Sequence, residues 1–439
     1  MRARRARYNR PMFPIRARGS SVRLEIVGGV TTFVSMAYII VVNPAILSFA
    51  GIPQGPSTVA TILTAVFGTL LMGLYANRPI AVAPYMGENA FVAFGLAAFH
   101  ITWQQRLGAV FVSGIVFLVI TLLGVRTWLA RAVSPSMKHS FAAGIGLFLT
   151  FIGLYESGIV KNAQAVPVQL GDVRSTPVLL AIGGFILIAA LLYRRIPGAI
   201  AIGIAVTAIA GALLGAGHAP KAIAALPFTG AYDLAPIAFQ LDVASVLRLS
   251  FLPILLTLFL MSLLDTLGTL VALDTATNHE GDLRKPMLVD ALSCMFSGLV
   301  GTSTSGAYIE SSTGIREGAR TGLAAVVTAA LFALSLFFIP LFEPMQSLQY
   351  AYAPALLIVG MLMVGAVARI DFDDLTELVP AFTTIVVMVF TFNIANGLTA
   401  GLLLYPIMKL LAGRARELSA GAVVLALLCG LYYAFGLPH

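Results

Sequence analysis

Residues 298–314 read GLVGTSTSGAYIESSTG. The stretch lies within a long apolar region, yet it is small, polar and carries a carboxylate, Glu310. A bilayer interior supplies no water to backbone groups, so non-helical backbone is tolerated there only when buried in protein or lining a cavity. Four glycines and a Thr-Ser-Thr-Ser run in seventeen residues disfavour a continuous helix through Gly306. The spacing predicts an extended piece over residues 302–307 that meets a half-helix starting near Tyr308. Discontinuous spans of this kind build substrate sites near the midplane of secondary transporters. A re-entrant surface loop between two helices is the alternative.

The rest of the chain supplies the membrane. Its 439 residues are 59% hydrophobic and only 10% charged, against about 25% charged in soluble domains. Mean hydropathy is +0.94. Apolar runs long enough to cross about 30 Å of hydrocarbon recur at 24–48, 56–75, 79–99, 105–125, 138–155, 176–194 and 198–216. A second set follows at 251–273, 286–301, 302–316, 321–342, 351–368, 375–393 and 394–411. A last run, 418–436, either crosses or lies in the interface. The expected fold is therefore an all-α polytopic membrane protein of about 14 transmembrane segments.

Between the two sets lies a weakly hydrophobic link, residues 217–250, with Pro220, Pro227 and Pro236. Seven spans before it place the halves in opposite orientations, as two inverted seven-span repeats over 21–216 and 251–412. Residues 1–20 form a basic arm and 413–439 a C-terminal apolar segment. Eight arginines fall between Arg2 and Arg23, before the first acid, Glu25. That arm precedes a span and follows the positive-inside bias, so it places the N-terminus in the cytoplasm and does not argue for a nucleic-acid partner. Membrane lipids with anionic headgroups are its natural secondary contact. Cations at 126/131/138, 194/195, 284/285, 316/320 and 409/414/416 fall on the same side by this count. With two cysteines, Cys294 and Cys429, both in apolar segments, neither a disulfide framework nor a metal site is expected. No cofactor is called for.

The third span of each set is interrupted. In the first half it reads APYMGENAFVAFG, residues 83–95, where Pro84 and Gly87 break the pattern around Glu88 and Asn89. Two half-helix starts, near Asn89 and near Tyr308, then face each other, with dipole ends suited to polar ligand groups. Carboxylates in hydrocarbon are costly and usually mark function. Asp265 sits with Ser262, Thr266 and Thr269 at i, i+3, i+4, i+7 spacing, one polar stripe on an apolar helix. A helix–helix hydrogen-bond seam is the structural alternative for that stripe. Capping of a helix N-terminus is the alternative for Glu310 and for Asn89. Glu156 and Asp290 read as solvated or structural acids near span ends. No nucleophile elbow or metallohydrolase motif appears, which leaves no case for an enzyme.

The segments GVTTFVSMAYIIVVNP (29–44), APYMGENAF (83–91), AAGIGLFLTFIGL (142–154), LLDTLGTL (263–270), GTSTSGAYIES (301–311) and GARTGLAAVVTAALF (318–332) together resemble the AzgA-like branch of the nucleobase–cation symporter (xanthine/uracil permease) family. The resemblance runs over about 20–412. It implies a core of spans 1–4 and 8–11, a gate of spans 5–7 and 12–14, import of nucleobases with protons across the plasma (inner) membrane, and a homodimer. Matched residue by residue, the eighth-span acid falls on Asp265, the tenth-span acid on Glu310 and the third-span Asn on Asn89. Ser262 stands where the family usually has a further Asp, Glu88 where it has an apolar residue, and Ala307 where it has Thr.

The expected site is Glu310, Asp265, Asn89, Glu88, Ser262, Thr269 and Ala307. Glu310 chiefly binds a flat base, Asn89 orients it, and Asp265 or Glu310 couples the proton. The Ser262 and Glu88 departures read as one acid moved across the site. Glu88→Gln alone should then cripple uptake of a labelled purine; near-normal uptake by that variant contradicts the displaced-acid reading.

Overall fold

The structure, a computed structural model, describes residues 12–164, 166–277 and 283–435. Most of the arginine-rich arm, residues 1–11, lies outside that range, as do residues 436–439. In chain order the helices begin with α1 (Val22–Met36), α2 (Ile39–Ser48) and α3 (Gln54–Leu74), then strand β1 (Val82–Pro84) and the short α4 (Met86–Ala90). The chain continues through α5 (Trp103–Leu122), α6 (Val125–Ala132) and α7 (Pro135–Glu156) to a hairpin of β2 (Val160–Asn162) and β3 (Val168–Leu170). Next come α8 (Thr176–Tyr193), α9 (Ala199–Leu213), the one-turn α10 (Val243–Val246), α11 (Leu252–Ala276) and α12 (Arg284–Val300). The last group is β4 (Ser305–Ala307), α13 (Ser311–Arg316), α14 (Gly322–Ser335), α15 (Ile339–Ser347), α16 (Gln349–Val364), α17 (Leu375–Phe390), α18 (Ile394–Leu411) and α19 (Ala420–Phe435).

Among the described residues, nine helical segments are long and apolar enough to cross a membrane, and three shorter apolar helices, at 199–213, 375–390 and 420–431, join them. Local chemistry fixes where many of them start. Ser134 caps α7 by accepting from the Met137 N–H, with Pro135 at its first position. Thr102 and Gln105 form a capping box on α5. Asn393 caps α18 and Asp374 caps α17. Gly301, at φ +101°, ends α12 in a left-handed turn and so frees the chain to become β4.

Several expectations needed correction. The first span is not one helix: Ala37 and Tyr38 interrupt it, between α1 and α2. The fourth span ends at Leu122, and a separate helix, α6, follows it. The extended piece at the second break is β4, three residues long, and its helix begins at Ser311, not at Tyr308. Between α7 and α8, where the span pattern predicts only a link, β2 and β3 pair antiparallel.

The helices pack in two groups. In one, α12 lies on α5 and α3, α14 on α3 and α1, α13 on α1, and α11 on α5. In the other, α16 lies on α7 and α8, α17 on α18 and α7, and α9 on α8 and α16. At one end of the second group Lys409 sits among Glu377 (3.0 Å), Glu417 (3.0 Å) and Asp374 (3.7 Å), and Arg414 reaches both Asp374 and Glu417. The Thr376 hydroxyl, with help from Arg414, holds the Asp374 carboxyl well below the usual carboxylate range.

Against helices of the first group, β1 and β4 pair antiparallel, Val82 opposite Ala307, Ala83 opposite Gly306 and Pro84 opposite Ser305. A Cβ at Gly306 would overlap the ring and hydroxyl of Tyr85. Gly306→Ala should therefore cost roughly 1–3 kcal/mol of stability through overpacking. Gly183→Ala, where a Cβ meets nothing within 4 Å, should leave detergent-solubilised melting temperature and folded yield unchanged; equal behaviour of the two variants contradicts this account of the crossing.

Candidate functional site

The site is built on the β1–β4 crossing. Pairing continues one residue past each strand: the Tyr85 N–H donates to Thr304 O and the Tyr308 N–H to Ala81 O, both at 2.9 Å. Tyr85 and Tyr308 thus hold equivalent places around a local two-fold axis between Ala83 and Gly306, as an inverted repeat requires. Their rings lie nearly parallel, 9° apart, with centroids separated by 6.3 Å. The outer edge of the ribbon is satisfied by side chains, because no water is at hand. Thr69 Oγ1 accepts from the Val82 N–H (3.0 Å) and donates to Val82 O (3.1 Å), and Ser311 Oγ accepts from the Ala81 N–H (3.0 Å).

Beyond each tyrosine the chain turns into a short helix that carries an acid. Glu88 and Asn89 lie in α4 and are fully buried. Ser262 of α11 donates to Glu88 Oε1 at 3.5 Å. The Glu88 carboxyl also makes a side-chain hydrogen-bond contact with Asp265, one turn further along α11. On the opposite side Glu310 precedes α13, and its side chain makes no capping bond. It accepts instead from the Tyr38 hydroxyl at 2.8 Å. Tyr38 sits at the interruption of the first span, so each break presents its acid to a helix region of the other half, Glu310 to the first span and Glu88 to α11. Tyr308 lies within electrostatic reach of Glu310, Glu88 and Asp265.

Asn89 is not a helix cap either; it is the fourth residue of α4. Its Nδ2 donates to Asn43 O at 3.4 Å, while its Oδ1 has no partner, and neither does Glu88 Oε2. Buried polar atoms are almost always satisfied, so the open Asn89 Oδ1 at the break is a place for a ligand's donor. Among the described residues, no lysine or arginine forms an ion pair with Glu88, Asp265 or Glu310. An acid cluster without a cation suits a neutral, N–H-rich ligand and repels an anion. Among the described residues there is also no group of His, Cys, Asp and Glu fit to hold a metal.

Not every expected residue joins this cluster. Thr269, the next member of the stripe, is half-buried one turn beyond Asp265, with no hydrogen bond to the acids among those the structure records. Ala307 is buried in a separate apolar cluster with Val82, Leu270 and Ile315, so its methyl group faces packing rather than the carboxyls. Thr266 of the same stripe meets the Tyr85 hydroxyl at 3.1 Å. Asp290 is corrected more sharply. It is fully buried two turns into α12, within electrostatic reach of Tyr85, and is not solvated. Glu156 is a span-end acid as expected, accepting from Gln349 (2.8 Å) and Tyr352 (3.3 Å).

Four participants escaped the sequence reading: Tyr38, Tyr85, Tyr308 and Asn43. Asn43 Nδ2 donates to Thr61 (2.7 Å) and Thr302 (2.9 Å), and its Oδ1 accepts from Ser303 (3.4 Å), which ties α2 and α3 to the strand approach. An Asn-Pro pair inside the apolar run 39–49 was the available signal. Arg106 of α5 closes the far end of the first break, donating to Val92 O (2.7 Å) and Ala93 O (2.9 Å), carbonyls that the irregular turn leaves open.

Known proteins share this sequence and fold. The xanthine/uracil permease model, described as "Permease family", matches residues 23–399. The chain is 38% identical over 431 residues to "Adenine permease AdeP" of Escherichia coli (strain K12), covering 97% of this chain and 95% of that protein. It is also 38% identical over 435 residues to "Guanine/hypoxanthine permease PbuG" of Bacillus subtilis (strain 168), covering 95% and 97%. Among solved structures, the transmembrane domain of the cyanobacterial bicarbonate transporter BicA matches with a TM-score of 0.64 at 18% identity, over 85% of this chain and 97% of that one. At that identity the likeness is one of fold, the inverted-repeat transporter architecture. Residues 23–399, with the paired breaks at their centre, make this chain a member of the xanthine/uracil permease family and hence a membrane transporter, not an enzyme.

Proposed function

We propose that the protein imports a purine nucleobase, such as hypoxanthine, guanine or adenine, by proton symport with alternating access. The observation that carries this reading is the crossing of the two breaks, each flanked by an acid, Glu88 held by Ser262 of α11 and Glu310 held by Tyr38, with no lysine or arginine paired to either among the described residues. A purine is flat and neutral, with ring N–H donors that carboxylates accept and a carbonyl or ring nitrogen that a hydroxyl, amide or protonated carboxyl can donate to. The relatives named for adenine and for guanine/hypoxanthine support the same substrate class. The fold neighbour named for bicarbonate shares the scaffold, but three uncompensated acids oppose an anionic cargo.

In this reading Glu310, steadied by Tyr38, chiefly holds the base, Asn89 orients the ring through its open Oδ1, and Asp265 binds the base or takes the proton. The fourteen-span count, with spans 1–4 and 8–11 as core and 5–7 and 12–14 as gate, belongs to the same proposal. It is supported by the two packing groups, whose relative movement would expose the site alternately. The arginine-rich N-terminus faces the cytoplasm of a plasma (inner) membrane protein, by the positive-inside bias, and the working unit is a homodimer.

Proteoliposomes with an outwardly acidic pH gradient should accumulate labelled adenine, guanine or hypoxanthine, and unlabelled purines should compete better than xanthine, uracil or bicarbonate. Accumulation that ignores the gradient contradicts proton symport, and better competition by uracil or xanthine contradicts the purine assignment. Tyr38→Phe removes one hydrogen bond from a charged acceptor, an interaction of about 1.5–3 kcal/mol. Its half-saturating purine concentration should rise by roughly tenfold or more on that scale, with a smaller change in maximal rate; an unchanged value contradicts the base-holding role of Glu310.

A further inference from the structure

Glu88 is the one acid of the cluster to which the base-holding scheme above gives no role. The local axis relates Tyr85 to Tyr308, and counting outward sets Gly87, not Glu88, opposite Glu310. Glu88 therefore has no counterpart in the other half, where the equivalent position is Ser311. It is fully buried, its Oε1 accepts from Ser262, and its carboxyl touches that of Asp265. A Cβ added at Gly87 would come to 3.9 Å from Asp265 Oδ2, so the acid on α11 reaches right up to the α4 backbone.

A carboxylate only accepts hydrogen bonds, so two carboxyl groups in hydrogen-bond contact need a proton between them. Among the described residues, Tyr85 and Tyr308 lie within electrostatic reach of both carboxyls, with Asp290 acting on Tyr85 and Glu310 on Tyr308. Helix α2 carries no ionisable side chain, and those of α7 (Lys138, His139, Tyr155 and Glu156) lie in its first and last turns. Among the described residues, no lysine or arginine is therefore paired with either carboxyl, and a proton is the available counter-charge.

Resting on the symport reading above, we propose that Glu88 and Asp265 jointly hold the transported proton, as an acid–carboxylate pair whose Glu88 end is steadied by the Ser262 hydroxyl. Loading adds one proton to the two carboxylates and leaves a single negative charge that can accept from the base. Unloading returns that proton to water on the other side and leaves two like charges in contact. That state is unfavourable in a low-dielectric interior and is relieved by the next proton. Glu310 then remains the holder of the base, separate from the proton site, and Ser262 has its smaller side chain because Glu88 fills the space opposite.

The test uses the full chain in proteoliposomes with whichever of labelled adenine, guanine or hypoxanthine the wild type accumulates best. Counterflow needs binding and reorientation but no net proton movement, whereas accumulation under a pH gradient needs both. Glu88→Gln should lower accumulation by about tenfold more than it lowers counterflow, the factor set by one pK unit of lost proton affinity. The double variant Glu88→Gln/Ser262→Asp restores an acid beside Asp265 and should recover accumulation. Base affinity of the wild type in detergent should weaken by about tenfold per pH unit above the pair's titration, as linkage to one proton demands, and be flatter in Glu88→Gln. Wild-type accumulation by Glu88→Gln overturns the proposal. So does loss of both activities that the double variant fails to restore. A wild-type chain that takes up no base overturns the symport reading itself, and this inference with it.

Discussion

Extended backbone in the middle of an apolar protein must find every hydrogen-bond partner within the protein, and that constraint organises the whole molecule. Neither broken span can satisfy itself. The first leaves the N–H and C=O groups of residues 81–85 open, and the second those of residues 304–308. Each becomes the other's partner, and two threonine and serine hydroxyls close the outer edge. The two halves of the chain are therefore joined at their weakest points, and the joint is also where the functional side chains are concentrated.

The same geometry explains why acids survive there. A short helix after each strand projects its polar residues into the space between the repeats, away from lipid. Glu310 meets Tyr38 at the interruption of the first span, and Glu88 meets Ser262 and Asp265 on α11. Arg106 and Asn43 do a quieter task, satisfying the carbonyls and hydroxyls that the irregular backbone would otherwise leave open. A buried polar network is favourable only when nearly complete, and among its open atoms Asn89 Oδ1 lies at the first break, where a ligand is expected.

Much of this was legible beforehand. A polar, glycine-rich run in an apolar region cannot be an ordinary span, and the APYMGENAF segment repeats the anomaly in the first half. Helical spacing put Ser262 and Asp265 on one face, and that face does meet the broken span. Other residues resisted the same reasoning. Tyr38, Tyr85 and Tyr308 look like routine aromatic residues in apolar runs, because a hydroxyl's partner lies hundreds of residues away. Asp290 looked like a solvated or structural acid near a span end, yet helix packing buries it completely. Ala307 was assigned to the site by its place in a motif, but strand alternation turns its methyl group to the other face.

The sequence by itself determined that this chain lives in a membrane, that two of its crossings are broken, and which family it belongs to, because hydropathy, glycine content and motif spacing are local properties. Only the tertiary structure decided which acid meets which partner. Contacts such as Tyr38–Glu310 and Ser262–Glu88 span 272 and 174 residues of sequence, and they exist only because the two strands pair in one register. That register follows from the packing of both halves around a shared axis, a global property that no local stretch encodes.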